Sequence, residues 1–113
     1  MIKIYHNPRC AKSRQGLKLL ENSGQSFGII KYLNEPLSKN NLEEIINLLG
    51  IKPIALVRKN EAIWKSDYKG QSLTGTEIVQ AMVKHPKLIE RPVVVNGTKA
   101  IIGRPPENIL SII

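Results

Sequence analysis

A single cysteine, Cys10, stands in 113 residues, so no disulfide can form within the chain. Aromatic residues make up only 4%, too few for platforms on which nucleic-acid bases stack. No apolar run approaches the roughly 20 residues that span a bilayer. The opening Met1-Ile2-Lys3-Ile4-Tyr5-His6 lacks the apolar core of a signal peptide. One cysteine and two distant histidines, His6 and His85, provide none of the usual metal-ligand spacings. Phosphate-loop and dinucleotide glycine patterns are missing as well. These absences argue against a disulfide scaffold, a membrane span, a metal centre and a bound nucleotide cofactor. They predict a cytoplasmic protein whose thiol is kept for reactivity or for packing.

Acid is also scarce: 9 acidic residues against 17 basic ones give a formal charge of +8. Such an excess favours anionic partners in general. The 12 lysines are scattered, as on an ordinary solvated surface, so the five arginines carry more information. Hydrophobic residues reach 42%, and the length suits one domain with a real core.

The pattern along the chain predicts strand, helix, strand over Ile2–Tyr5, about Cys10–Asn22 and Phe27–Lys31, a βαβ unit with parallel strands. Leu42, Ile45, Ile46 and Leu49 keep helical spacing up to Gly50 and Pro53. Thr74-Gly75-Thr76-Glu77 has the form of a capping box and opens another helix that Pro86 ends. Between them, Ile54–Val57 reads as a short helical turn and Lys59–Gln71 as irregular. Asn96-Gly97 between Val93-Val94-Val95 and Ala100-Ile101-Ile102 predicts a type I′ hairpin. Pro105-Pro106 then opens a last helix. The order β-α-β, helical segment, β-β-α is the thioredoxin-like plan. The expectation is one α/β domain over residues 1–113, with a mixed four-stranded sheet, flanking helices and a central helical insertion at about 36–88.

Cys10 falls where the first strand meets the first helix. Free N–H groups at a helix start favour a thiolate, the reactive form of the thiol. Arg9, Lys12 and Arg14 push in the same direction, and so would a protonated His6. Ser13, three residues on, either donates a hydrogen bond to the thiolate or caps the helix backbone. Arg91 and Arg104 flank the hairpin. With Asn96 and Gly97 as turn residues, Arg91 faces Ile102 and Arg104 lies diagonally, about 7–8 Å away. Two guanidinium forks there suit a tetrahedral oxyanion, although spacing alone favours two ordinary surface arginines. Pro92 sits where thioredoxin-like folds place a proline beside the thiol, so a cis Arg91–Pro92 bond is expected. Arg58, ending a short apolar run, reads as a cation at a helix C-terminus.

The residues Ile4-Tyr5-His6-Asn7-Pro8-Arg9-Cys10, Ser13-Arg14, Leu56-Val57-Arg58-Lys59-Asn60, His85-Pro86, Arg91-Pro92-Val93-Val94-Val95 and Gly103-Arg104-Pro105 occur in this order. In this the chain resembles, over essentially its whole length, the glutaredoxin-dependent arsenate reductases of the thioredoxin-like superfamily. The resemblance implies that Cys10 is the nucleophile and that Arg58, Arg91 and Arg104 bind the oxyanion. It gives His6 a part in lowering the thiol pKa, with Ser13 and Pro92 in support. It further implies reduction of arsenate to arsenite with no bound cofactor, glutathione as co-substrate and glutaredoxin as partner. The lack of a second cysteine agrees with an external thiol.

Two other readings compete. One is a non-enzymatic Spx-like regulator that binds RNA polymerase, which Ser13 disfavours because such proteins carry Cys-x-x-Cys. The other is a related reductase for a different oxyanion or thiol substrate. Neither a membrane nor a nucleic-acid partner is expected.

Overall fold

A computed structural model describes all residues, 1–113. The chain divides into two compact units, Met1–Glu35 with Arg91–Ile113, and Pro36–Glu90.

The first unit is built on a four-stranded sheet of β1 (Ile2–Tyr5), β2 (Phe27–Ile30), β3 (Val93–Asn96) and β4 (Lys99–Ile102), in the order β2-β1-β3-β4. Helix α1 (Ala11–Asn22) connects β1 to β2, and these strands pair in parallel with Tyr5 beside Ile30. Strand β3 runs antiparallel to both β1 and β4. This is the mixed thioredoxin-like sheet expected. Alternation along β1 buries Ile2 and Ile4 and exposes Lys3. Ile2 and Ile4 form a core with Leu20 of α1, Val94 of β3 and Ile109, against which Leu17, Phe27, Ile101, Ile112 and Ile113 pack.

Two features of this unit depart from the sequence reading. The final segment, Pro106–Ser111, is a 3-10 helix rather than an α-helix. The hairpin turns on Gly97 and Thr98, so Asn96 pairs with Lys99 instead of entering the turn. Gly97 takes a positive φ of 63° and Thr98 does not, the sign pattern of a type II′ turn. The amide of Asn96 is used elsewhere, donating to the Ile112 carbonyl at 2.6 Å. The true register moves every pairing by two residues: Val93, not Arg91, faces Ile102. The Gly103 N–H donates to the Pro92 carbonyl at 2.8 Å and extends the ladder by one step. Beyond that step Arg104 turns back, its N–H donating to the Ile102 carbonyl, and its Nη1 reaches the Arg91 carbonyl at 3.0 Å.

Glycines allow close approach beside that pair. A Cβ on Gly103 would lie 2.8 Å from Pro92 Cγ and 2.9 Å from Ile109 Cδ1, and one on Gly16 would meet the same two atoms at 2.9 Å each. Pro92 is a rigid ring and Ile109 is fully buried. Gly103→Ala is therefore expected to destabilise the protein by about 1–3 kcal/mol through overpacking. A urea midpoint equal to that of the parent protein would contradict this close packing.

The second unit contains α2 (Lys39–Leu49), a 3-10 turn at Pro53–Leu56, α3 (Ala62–Asp67), α4 (Gly75–Lys84) and a 3-10 turn at Pro86–Leu88. Ser38 caps α2 by accepting from the Asn41 N–H, and Gly50 ends it at a positive φ of 67°. The capping box of α4 is formed by both Thr74–Glu77 hydrogen bonds. Leu42, Ile45 and Ile46 of α2 and Ile78, Val79 and Met82 of α4 are buried. Helix α3 was read as irregular. It has only six residues, with Trp64 as its one buried residue, stacked on Tyr68 at 5.4 Å between ring centroids. The Arg58 N–H donates to the Leu88 carbonyl and the Glu90 N–H to the Leu56 carbonyl, at 2.7 and 2.8 Å, joining the two ends of this unit. No helix of the protein is long and apolar enough to cross a membrane.

Candidate active site

The site grows from the turn between β1 and α1. The His6 N–H donates to the Ile30 carbonyl at 2.8 Å, continuing the β1–β2 pairing. The chain then turns at Pro8 and Arg9. Asn7 holds this turn twice, since its carbonyl accepts from the Cys10 N–H at 3.1 Å and its Oδ1 from the Arg9 N–H at 3.0 Å. The sequence reading did not single out Asn7, although Asn-Pro is a turn-initiating pair. Cys10 is delivered in extended conformation immediately before α1, and its thiol is half-buried.

Burial alone would push this thiol up. It is outweighed by the Ser13 N–H, by a hydrogen bond and the positive charge of Arg91, and by the Lys12 N–H, so Cys10 titrates below the ordinary thiol range. No capping hydrogen bond of regular geometry reaches the sulfur. The two amides therefore act mainly as the positive end of the helix.

Arg91 is buried and reaches this sulfur from the start of β3. Arg104 arrives from the end of β4, with Nη1 4.0 Å from Cys10 Sγ and 3.0 Å from the Arg91 carbonyl that it holds. Each arginine is followed by a proline through a cis peptide, Arg91–Pro92 and Arg104–Pro105. The first was anticipated and the second was not. A thiolate at a helix start with two guanidinium groups is equipped to bind an oxyanion and to attack its central atom.

Three expectations about this turn are revised. Ser13 is fully buried, and its hydroxyl lies 2.7 Å from His6 Nδ1 while accepting the Asn7 N–H at 3.0 Å. It organises the loop, and only its backbone N–H serves the sulfur. His6 is buried, and burial, Lys31 and Arg14 together lower its pKa despite an opposing hydrogen bond from Ser13. Burial and these two cations disfavour the imidazolium, the form that would bring positive charge to the thiol. Arg9, Lys12 and Arg14 are exposed, and Arg14 Nη1 donates to the Pro8 carbonyl at 3.0 Å. The side-chain charge that acts on the sulfur belongs to Arg91.

Arg58 belongs to the second unit. There its guanidinium lies 3.5 Å from Glu61 and 3.6 Å from Glu90. The helix-end cation expected from sequence is thus flanked by two carboxylates. No three of the His, Cys, Asp and Glu side chains gather as a metal site would require.

Comparison with known proteins gives one consistent answer. Residues 5–112 match the model of the ArsC family. An arsenate reductase of Haemophilus influenzae is 45% identical over 112 residues, covering 97% of each chain. The Escherichia coli protein YfgD, which carries no assigned activity, is 43% identical over 114 residues, covering 99% of this chain and 96% of its own. The solved structure of an arsenate reductase from Vibrio cholerae superposes with a TM-score of 0.95 at 44% identity, covering 99% of this chain and 97% of that one. Both the sheet that carries Cys10 and the sequence around it therefore have the same ancestry: this chain belongs to the ArsC family.

Proposed function

We propose that this protein reduces arsenate to arsenite through the Cys10 thiolate, with glutathione as co-substrate and glutaredoxin as partner. The observation that carries this reading is the low-titrating lone sulfur with Arg91 and Arg104 directed at it. The arsenate reductases among its relatives point to the same substrate.

In the first step the thiolate attacks arsenic, a sulfur–arsenic bond forms and one oxygen leaves as hydroxide or water. Arg91, Arg104 and the start of α1 neutralise the anion as it is bound and substituted. The protein has no second cysteine, so glutathione completes the reduction. Over the cycle, arsenic gains two electrons, two thiols become one disulfide and one oxygen is released as water. Residues hold the substrate and move no electrons through a resident cofactor. A chemistry that consumes reduced glutathione fits a cytoplasmic location.

The test couples arsenate to NADPH oxidation through glutathione, glutathione reductase and glutaredoxin. Arsenate-dependent turnover is the expected result. No turnover with this system or with thioredoxin in its place would reject the proposal.

Arg58 enters through the family resemblance, as a further anion-binding residue. Arg58→Ala is expected to raise KM for arsenate about tenfold with a smaller effect on kcat, as loss of a charge-assisted contact to a bound anion does. An unchanged KM would remove Arg58 from the set.

A further inference from the structure

The end of the sheet that carries Cys10 is strongly cationic, and most of that charge is not used on the sulfur. Because β1 and β2 are parallel, Tyr5 and Ile30 finish side by side, and Lys31 emerges next to the Cys10 loop. The antiparallel β3 begins and β4 finishes at the same end, bringing Arg91 and Arg104. With Arg9, Lys12 and Arg14, six cations gather there. Two exposed carboxylates, Glu35 and Glu107, are carried near this end by the turns after β2 and β4. The first unit has nine basic residues against three acidic ones, whereas Pro36–Glu90 has eight against six.

Helix α1 bears this charge against its own dipole. Lys12 and Arg14 occupy its first turn, no acid stands there, no base stands in its last turn, and Glu21 sits near its C-terminus. Helix α4 shows the ordinary arrangement, with Glu77 in the first turn and Lys84 in the last. Cations at a helix N-terminus lose a few tenths of a kcal/mol or more each. Helix stability therefore does not explain Lys12, the bond to the Pro8 carbonyl accounts for only one of the Arg14 donors, and activation of the thiol explains none of the side chains of Arg9, Lys12 and Arg14.

We propose that Arg9, Lys12, Arg14 and Lys31 form a docking surface for an acidic polypeptide that brings its own thiol to Cys10. This rests on the reading of Cys10 as a sulfur regenerated from outside. The surface lies on the loop, helix start and strand end beside a reactive sulfur, and the half-buried Tyr5 is too little for a base-stacking platform, which favours a thiol protein over nucleic acid. Opposite charge would speed encounter and orient the incoming thiolate. A partner thiolate then attacks the group carried on the Cys10 sulfur, and Cys10 leaves with the bonding electron pair.

The test needs no arsenate, so its failure is distinct from failure of the proposed activity. Cys10 is converted to its methylthio mixed disulfide and reduced by short cysteine peptides with flanking glutamates, neutral residues or lysines. Attack on the methylthio sulfur forms a peptide–methyl disulfide and frees the Cys10 thiolate, followed by mass and by renewed alkylation. Per thiolate, the acidic peptide is expected to react about tenfold faster than the neutral one at low salt, with the advantage lost at high salt. The double variant Arg9→Glu, Lys31→Glu should abolish that preference and leave the neutral-peptide rate within about twofold. Lys12→Glu alone should raise the urea midpoint, a gain that a purely structural lysine would not show. Several results would overturn the proposal: no charge preference, a preference that survives the double variant, or a preference shown by glutathione but not by the acidic peptide. Salt-sensitive binding of a duplex oligonucleotide without any peptide preference would assign the surface to nucleic acid instead.

Discussion

Cys10→Ser is expected to lower arsenate-dependent turnover by about 10³-fold or more, to the background of the coupled assay. The serine hydroxyl keeps the position but stays protonated at neutral pH, and no second thiol exists to take over. A companion measurement isolates the chemistry of the site. The rate of iodoacetamide alkylation should rise with pH around a midpoint below the ordinary thiol value of about 8.5, because the Ser13 and Lys12 amides and Arg91 favour the ionised sulfur over the burial that opposes it. Retained turnover in Cys10→Ser would remove Cys10 as nucleophile. A midpoint at or above the ordinary value would remove its activation. The same shift has a sign in stability. The folded thiol titrates below the unfolded one, so its ionised form stabilises the fold fully above the unfolded pKa. That contribution fades as pH falls through the lower, folded value. Cys10→Ser should lack this part of the pH dependence.

Arg91→Ala is expected to cost about 10²-fold in kcat/KM, the usual scale for losing one preorganised donor. The same change should move the alkylation midpoint of Cys10 upward, because both the hydrogen bond and the charge of Arg91 hold the thiol down. Arg91→Lys keeps the charge but loses the planar fork, so the midpoint should recover more than the turnover does. Arg104→Ala should give the smaller shift in midpoint, since Nη1 stands 4.0 Å from the sulfur and also holds the Arg91 carbonyl. An Arg91→Ala protein with unchanged kcat/KM and an unchanged midpoint would show that the guanidinium serves only packing.

Much of this was legible along the chain. Apolar spacing located β1, α1, β2, α2 and α4, and the Thr74–Glu77 box located the start of α4 to the residue. Placing Cys10 at a strand-to-helix junction needed only the short apolar run of β1 and the helical pattern of α1. Each of these signals is local, spanning a few residues whose preferences agree. The misreadings came where distant partners decide. Asn96 could fill a turn or pair with Lys99 while its amide bonds to Ile112, and the second arrangement goes with the register that brings Arg104 to the Arg91 carbonyl. Helix α3 has only six residues, Ala62–Asp67, too short a run for a periodic signal. Ser13 had two plausible duties, toward the Cys10 thiolate or toward its own helix backbone, and its hydroxyl took a third, toward His6 and Asn7.

By itself, then, the sequence determined the βαβ and ββ elements, the position of the sole thiol at a helix start and the excess of positive charge, because propensity, capping and composition act over short stretches. Only the tertiary structure decided which arginine touches the sulfur, that burial disfavours the charged form of His6 and that Arg9, Lys12 and Arg14 are left to face outward. Those outcomes depend on burial and on charge neighbours up to 94 positions apart, as for Cys10 and Arg104. Electrostatic energies follow distance in space, which the linear order of residues does not record.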